Sequence, residues 1–293
     1  MLDELAAVVA RHCHGLWRDT EVPRQNIVAI DEPLTNIDLR YETMACFVVD
    51  GAKLAMAGDR GWLTGRGDMF LSTVGMPVTA TFERTPYRAV SLRLDGGPLA
   101  DLLLELDGTG STAAPETDRL LTVPMTPELV DAVTRWVRLL DTPADIAPLA
   151  PRVEAEILYR LLAGPLGPTL QQLAMTDSPV SRVRRAAGWI TAHYTERITV
   201  EDIAAEAHMS TATLHRHFKA ATGMSPLRFQ KHLRLQEARR RLVAGDVTAA
   251  MVAEAVGYVS ASQFNREYRR AYGLPPLQDA ARLRGNLVRW PIP

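Results

Sequence analysis

Cysteine is scarce in this sequence, which has only Cys13 and Cys46 among its 293 residues. Two cysteines cannot build the disulfide framework of a small secreted domain, and their scarcity favours a cytoplasmic location. Long apolar runs are also missing: no stretch of about 18 apolar residues occurs, and Leu2 to Arg18 carries charges where a signal peptide would be apolar. The sequence therefore predicts a cytoplasmic protein that does not cross a membrane.

The motifs of common enzymes are missing as well. The chain has no Gly-rich phosphate loop with a lysine, no Gly-x-Ser-x-Gly sequence and no Cys-x-x-Cys pair. His12 and His14 are the only histidines before His193. The run His12-Cys13-His14 could hold a metal ion, but three successive residues of a helix point in different directions, so we expect none there. No catalytic residue, cofactor or metal site is predicted.

One short segment occurs twice, 50 residues apart, and is the most informative pattern in the chain. The first copy contains Ser210, Leu214, Arg216, Phe218, Lys219, Gly223 and Pro226. The second copy contains Ser260, Phe264, Arg266, Tyr268, Arg269, Gly273 and Pro276. Each copy predicts a short helix that begins at a serine N-cap, buries apolar residues spaced four apart and ends at a glycine.

The residues before each copy indicate a helix-turn-helix unit. Thr199 and Asp202 bracket the first turn of a helix with a small apolar face, and the segment 247–256 has the same character before it ends at Gly257. A small-residue helix, a tight turn and a second helix with outward cationic residues form the pattern of a DNA-binding helix-turn-helix. Between the copies, the segment 226–242 has no internal glycine or proline and predicts a helix of about 25 Å that joins the two units.

Charge divides the chain in two. From Val180 onward there are 18 Arg and Lys residues against 9 Asp and Glu, whereas residues 1–179 have 15 against 25. The net charges of +9 and −10 nearly cancel in the total of −1. A basic part that coincides with two helix-turn-helix patterns is typical of a module that binds a polyanion such as double-stranded DNA, although arginine-rich helices can also be plain solvated surface.

Residues 183–284 resemble the DNA-binding domain of the AraC/XylS-type transcription regulators. The resemblance rests on IAAEAHMSTATLHRHFKAATGMSP and VAEAVGYVSASQFNREYRRAYGLPP, in which VGYVSASQFNREYRR is the most diagnostic part. Upstream, GDMFLSTVGMPVTATFERTPYRAVSLRLD and RVEAEILYRLLAGPLGPTLQQLA are similar to the N-terminal cupin-like region of one branch of this family. The resemblance covers most of residues 20–284 and implies a regulator with two helix-turn-helix units joined by a long helix.

The resemblance also implies which residues contact DNA. The positions that match base-contacting residues are Ala212, His215, Arg216, Ser262, Asn265 and Arg266. Arginine can bind guanine and asparagine can bind adenine, but both repeated arginines could instead anchor their helix or contact phosphate. Residues expected at the phosphates are Ser210, Lys219, Arg228, Arg234, Ser260, Arg269 and Arg270. His208 stands where this turn often has glycine.

The acidic N-terminal part has a β pattern between Asn26 and Asp95. Short apolar runs alternate with turn signals such as Asp50-Gly51 and Gly67-Asp68, as in a small antiparallel barrel or sandwich. The predicted strands are 27–30, 44–49, 53–57, 69–73, 78–82 and 88–94. The aromatic residues of this part predict that a small organic effector binds among Phe47, Trp62, Phe70 and Phe82. Cys46 is expected to be a buried core thiol, with a sensor thiol as the alternative.

Two amphipathic helices, 127–140 and 151–162, are predicted after the barrel, separated by a break at 142–148, and a short helix is predicted near 170–175. They could cover the barrel, form a homodimer interface, or do both. The expected architecture is α+β and multidomain: a cupin-like effector and dimerisation domain at 1–165, a linker at 166–182, a DNA-binding domain at 183–284 and a tail at 285–293. Its helix-turn-helix units are expected at about 199–222 and 248–272.

Three functions agree with these patterns. The first is a transcription regulator whose barrel binds a small effector and alters how DNA is read, with RNA polymerase as a further candidate partner. The second is a cupin enzyme fused to a DNA-binding module, which the missing barrel histidines disfavour. The third is a constitutive regulator whose barrel only dimerises.

Overall fold

The computed structural model describes residues 1–13, 17–106, 121–245 and 247–287. His14 lies outside the described residues. The chain forms two compact units, residues 1–184 with 216–223 and residues 185–215 with 224–293.

The first unit contains one antiparallel sheet of eight strands, in the order β1-β2-β7-β4-β6-β8, with β3 paired to β7 and β5 paired to β4. The strands are β1 Trp17–Asp19, β2 Gln25–Ile30, β3 Leu34–Tyr41, β4 Met44–Ala57, β5 Arg60–Gly65, β6 Asp68–Ser72, β7 Met76–Arg93 and β8 Leu121–Pro124. The rings of Tyr41 on β3 and Phe70 on β6 lie 5.4 Å apart although these strands are not paired. The sheet is therefore curled, so that side chains from unpaired strands contact each other across its inner face, as in a cupin-like barrel.

The two longest strands correct the predicted strand list. We predicted a turn at Asp50-Gly51, but β4 runs through it, and β7 likewise joins two predicted strands. The pairing of β4 with β7 shifts register around Asp50 and Ala52, which is a bulge where the strand bends. Gly51 has φ +69°, and an added Cβ would lie 2.4 Å from the Arg84 carbonyl oxygen. The glycine thus marks a bend within a strand.

Helices cover the other face of this sheet. They are α1 Leu2–His12, α2 Gly96–Glu105, α3 Pro127–Arg138, α4 Pro143–Ala163 and α5 Gly167–Ala174, and a 3₁₀ turn at Leu139–Asp141 follows α3. Phe47 and Val90 from the sheet are buried in one core with Trp136 and Leu161 from the helices. The predicted break at 142–148 is therefore wrong, because α4 begins at Pro143 and contains Pro148.

The segment 166–182, predicted as a linker, contains helical turns that belong to this first core. Leu166, Leu170 and Leu173 are fully or almost fully buried there. The short helix expected near 170–175 is confirmed as α5. A segment that buries three leucines is a structural part of the first unit rather than a spacer.

The second unit is helical. Its elements are α6 Pro179–Ala192, α7 Val200–Glu206, α8 Thr211–Thr222, α9 Pro226–Ala244, α10 Ala249–Ala255, α11 Ala261–Tyr272 and α12 Pro276–Leu287, where α6 begins and α8 ends among residues of the first unit. The long helix predicted between the repeats is confirmed as α9. Phe264 and Tyr268 of α11 pack with Leu235 and Leu242 of α9 in the core of this unit. Within the described residues, no helix is both long and apolar enough to span a membrane.

Candidate functional site

The first helix-turn-helix unit consists of α7, a tight turn and α8. Thr199 caps α7 by accepting a hydrogen bond from the Asp202 amide at 3.1 Å, and the Asp202 carboxylate accepts one from the Thr199 amide at 2.9 Å. In the turn, His208 has φ +51°, the left-handed conformation that glycine usually supplies. The sequence thus specifies both the start of α7 and the place where the chain reverses.

The second unit repeats this arrangement with α10, a turn and α11. The Thr248 hydroxyl accepts a hydrogen bond from the Met251 amide at 3.2 Å and caps α10. Gly257 takes the left-handed position with φ +85°, and a Cβ on it would lie 2.1 Å from the Thr195 carbonyl oxygen. A histidine fits the turn of the first helix-turn-helix, whereas the turn of the second helix-turn-helix has room for glycine alone.

The second helix of each unit, α8 or α11, exposes the residues that were predicted to contact bases. These exposed residues are Ala212, His215, Arg216, Ser262, Asn265 and Arg266. Leu214 and Phe264 lie on the opposite, buried faces. The two exposed sets occupy matching positions at i, i+3 and i+4, so each helix presents one continuous stripe, which is polar except at Ala212. No side-chain hydrogen bond or ion pair engages Asn265 or Arg266 within the part of the chain that the structure describes.

A contact that sequence reasoning missed fixes the position of α11. Glu267 accepts a hydrogen bond from the Tyr258 hydroxyl at 2.8 Å and pairs with the Lys231 ammonium of α9 at 2.9 Å. Burial alone would raise the pKa of Glu267, but its hydrogen bonds to Lys231 and Tyr258 outweigh burial and lower it. Glu267 therefore stays ionised and holds α11 against α9 while the opposite stripe remains exposed.

The residues predicted to contact phosphate fall into three groups. Lys219, Arg228, Arg269 and Arg270 have exposed side chains. Ser210 and Ser260 cap their helices, because their hydroxyls accept hydrogen bonds at 3.3 Å from the amides of Thr213 and Gln263, respectively. These six residues lie on the surface where a backbone could approach them.

Arg234 differs from the other predicted phosphate contacts because its side chain is half-buried and engaged. Its guanidinium donates to the Tyr194 carbonyl oxygen at 2.6 Å and to the Glu196 carbonyl oxygen at 2.8 Å. It also lies 5.8 Å from the centre of the Tyr258 ring. Burial lowers the pKa of Arg234 below its ordinary value. Arg234 thus ties α9 to the segment that leads into the first helix-turn-helix unit.

The predicted effector residues do not all line one space. Phe70 and Phe82 are buried on the inner face of the curled sheet, and Trp62 is half-buried and pairs with Ala55 on β4. Phe47 packs instead into the core beneath the helices. Successive residues of a strand point to opposite faces, and Phe70 pairs with Cys46, the neighbour of Phe47. Phe47 therefore does not share a pocket with Phe70 and Phe82.

The inner face also holds a lysine that the sequence did not single out. The Lys53 ammonium lies 5.0 Å from the ring centre of Tyr41, 4.8 Å from Phe70, 5.9 Å from Phe82 and 5.4 Å from Tyr87. All five side chains are at most 4% exposed. Burial disfavours the charged amine, whereas the four surrounding rings favour it. The barrel interior therefore carries a positive charge inside an aromatic cage.

The two cysteines are both buried. Burial raises the pKa of the Cys46 thiol to about 11, so it is protonated at neutral pH and lacks the thiolate that a reactive sensor needs. No group of three or more His, Cys, Asp or Glu side chains that could hold a metal ion occurs in the described ranges.

Comparison with protein families decides the broad class. Residues 21–169 match the model of the AraC-type transcriptional regulator N-terminus, which is half of the chain. This chain belongs to the AraC-type transcriptional regulators. Residues 203–282 match a helix-turn-helix domain model, which spans α8 to α11 completely and includes most of α7 and α12.

Relatives of this AraC-type regulator resemble it over about a third of the chain. A RhaS transcriptional activator of Pectobacterium carotovorum is 35% identical over 109 residues, which are 36% of this chain and 39% of the relative. A putative AraC-like transcription regulator of Streptomyces lividans is 40% identical over 78 residues, 27% of this chain and 26% of the relative. The chain thus spans about two fifths of the length of the former and about a quarter of the latter.

The whole architecture of this AraC-type chain has a counterpart among solved structures. An apo variant of ToxT from Vibrio cholerae aligns with 92% of this chain and 99% of its own, with a TM-score of 0.53 and 9% sequence identity. This likeness concerns the fold, in which a β-sheet domain precedes a helical domain.

Proposed function

We propose that this protein is a sequence-specific DNA-binding transcription regulator. The observation that carries the proposal is the pair of matched polar stripes on α8 and α11. Each stripe is exposed, each helix is capped by a serine, and each opposite face is buried. A recognition helix needs this division, because one face must pack on its scaffold while the other enters the major groove.

The side chains of the stripes suit base recognition. Arg216 and Arg266 can each donate two hydrogen bonds to guanine, and Asn265 can bind both polar groups of adenine. Ala212 offers only a methyl group, so we expect the first helix-turn-helix to read fewer bases than the second helix-turn-helix. Lys219, Arg269 and its neighbour Arg270 would contact phosphates and set affinity without setting preference.

The direct test measures binding of the whole chain to fragments of the DNA that flanks its own gene, at several salt concentrations. We expect tight binding to one fragment. A double change of Asn265→Ala and Arg266→Ala should abolish this preference and leave weak, salt-sensitive binding to every fragment. Direct base contacts are worth about 1–3 kcal/mol each, so the loss should be at least tenfold.

The matched control is the double change Gln278→Ala, Arg240→Ala. It removes an exposed amide on α12 and an exposed arginine on α9, both outside the second helix-turn-helix. The Arg240 side chain is 69% exposed. The control should retain the preference for the same fragment. Equal loss in both double variants, or no preference in the wild type, would contradict base reading by α11.

We further propose that the barrel binds a small organic effector that shifts how the two recognition helices are presented. Such coupling requires the effector to bind two arrangements of the protein with different affinity. ToxT from Vibrio cholerae, which has a similar fold with a TM-score of 0.50 and 9% identity, has a structure with an unsaturated fatty acid bound. A constitutive regulator would show no ligand-dependent change in thermal stability, which separates the two possibilities.

The protein would act in the cytoplasm, without catalysis, metal or cofactor, and would contact RNA polymerase at promoters. It would be a homodimer through the outer face of α4, where Leu149 and Tyr159 are 42% and 48% exposed. Light scattering of the wild type and of a Leu149→Lys, Tyr159→Lys variant tests the dimer.

A further inference from the structure

Lys53 is an unpaired positive charge inside the barrel. Its side chain is 4% exposed, and no Asp or Glu carboxylate forms an ion pair with it within the described ranges. Lysine is almost never fully buried unless it is paired, because its ammonium loses its hydration. Four ring faces compensate part of this loss, but they supply no negative charge and no hydrogen-bond acceptor comparable to a carboxylate.

Two hydroxyl groups beside Lys53 lack an acceptor for their protons. The Lys53 ammonium interacts with the buried Tyr41 and Tyr87 hydroxyls, but neither O–H donates a well-aligned hydrogen bond within the described residues. Buried tyrosine hydroxyls normally find a partner. The same small space therefore holds an ammonium and two hydroxyls, all of which can donate hydrogen bonds.

These donors come from separate strands. Tyr41 is on β3, Lys53 on β4 and Tyr87 on β7. A single acceptor group among them would connect three strands and would tighten the closure of the curled sheet. A ligand at this position would consequently stabilise the first unit.

We propose that Lys53, Tyr41 and Tyr87 form the receptor for the carboxylate of a small organic monoacid, with Phe70 and Phe82 against its apolar body. The carboxylate would accept hydrogen bonds from the ammonium and from both phenols. One ammonium balances one negative charge, so a dianion such as phosphate would leave a second charge buried without a partner. This inference rests on the proposed effector role of the barrel and names the chemical class of the effector.

The test uses thermal unfolding of the whole chain with benzoate, phenylacetate or octanoate and with the corresponding neutral amides. We expect at least one acid to raise the unfolding midpoint of the wild type by more than about 2 °C, and its amide to have no effect. Lys53→Met should abolish the shift, and the double change Tyr41→Phe, Tyr87→Phe should reduce it. Arg40→Met, which removes an exposed cation on β3, should retain it. Inorganic phosphate should leave the midpoint unchanged.

The ligand-free variant gives a second, independent readout. Methionine matches the length of lysine without its charge, so Lys53→Met should raise the unfolding midpoint without any acid by about 2 °C or more. A lower midpoint for Lys53→Met would mean that the caged ammonium stabilises the fold, and would overturn the proposal. So would the lack of a shift with all three acids, an equal shift with the amides, or a shift that survives in Lys53→Met.

Binding to the flanking DNA is measured on the same samples to separate this proposal from the proposed function. Lys53→Met without acid should bind the preferred fragment as the wild type does. An acid-dependent stability shift in a protein without DNA preference would contradict the proposed regulator function and support the carboxylate site. DNA preference without any acid-dependent shift would support the proposed regulator function and contradict the carboxylate site.

Discussion

At the scale of single residues, Arg234 illustrates how one side chain can be assigned to the wrong surface. Its position in a basic helix predicts a phosphate contact, whereas its guanidinium donates to the carbonyl oxygens of Tyr194 and Glu196. Sequence alone could not reveal this, because the partners are backbone atoms about 40 residues away. Backbone acceptors carry no residue type that a pattern could detect.

We expect Arg234→Ala to destabilise the second unit by about 1–3 kcal/mol, because two carbonyl groups lose a charged donor. The dependence of DNA affinity on salt should stay as in the wild type, since no phosphate contact is lost. Urea unfolding and binding titrations at several salt concentrations measure the two effects. Arg240→Ala should change neither. A flatter salt dependence of Arg234→Ala without loss of stability would show that Arg234 contacts DNA phosphate.

Asp279 provides a second prediction at this scale. It is fully buried, and it accepts hydrogen bonds from the Arg239 guanidinium at 2.8 Å and the Tyr268 hydroxyl at 3.0 Å. Burial alone would raise its pKa, but the contacts with Arg239 outweigh burial and lower the pKa below its ordinary value. Asp279→Ala should cost about 3–5 kcal/mol at pH 7, because it removes the carboxylate that neutralises the buried Arg239 guanidinium.

The stability that Asp279 contributes has a defined pH window. A folded-state pKa below the unfolded value means that the contribution is complete above the unfolded pKa and is lost as the pH falls through the folded one. The difference in urea stability between wild type and Asp279→Ala should therefore be constant near neutrality and shrink below about pH 4. The exposed-charge control Glu254→Ala should differ little from wild type. A difference that stays constant at low pH would contradict the ionised pair.

At the scale of elements, helices were predicted better than strands. The repeat with its serine caps and terminal glycines predicted α8 and α11, and the run between them predicted α9, because helix signals are local. The strands β1, β3, β5 and β8 were missed: β1 and β8 are short, and polar residues interrupt β3 and β5, although β5 pairs with the neighbouring strand β4 across a tight turn. The bend in β4 was mistaken for a turn because Asp-Gly is the usual turn signal.

Gly51 gives a prediction for this bend. Gly51→Ala should lower the free energy of unfolding of the first unit by more than about 2 kcal/mol, because the new methyl would meet the Arg84 carbonyl oxygen at 2.4 Å in a left-handed conformation. Urea unfolding followed by tryptophan fluorescence measures the loss. Gly97→Ala in α2, where an added Cβ meets nothing within 4 Å, should be neutral or slightly stabilising. Equal stability of the two variants would show that β4 can relax at the bend.

At the scale of the whole molecule, the sequence predicted two parts with different chemistry but not the interior of the first. The repeat located the helix-turn-helix elements of the helical part. The cage around Lys53 needed the curl of the sheet, which brings Tyr41 and Phe70 together from unpaired strands. A lysine in a strand is ordinarily solvated, so its residue type alone gave no reason to place it inside.

The division of charge leads to a prediction about the intact chain. Its net charge of −1 would disfavour DNA if charge acted as a total, yet the second part carries +9 and can release counterions from DNA by itself. Binding should therefore weaken steeply with salt. Arg269→Ala with Arg270→Ala should weaken binding to all fragments alike and reduce the slope of log affinity against log salt by about 2. Asn265→Ala should leave the slope unchanged and reduce preference alone. If the arginine variant instead altered preference at constant slope, these side chains would reach bases, and α11 would lie deeper in the groove than its exposed stripe implies.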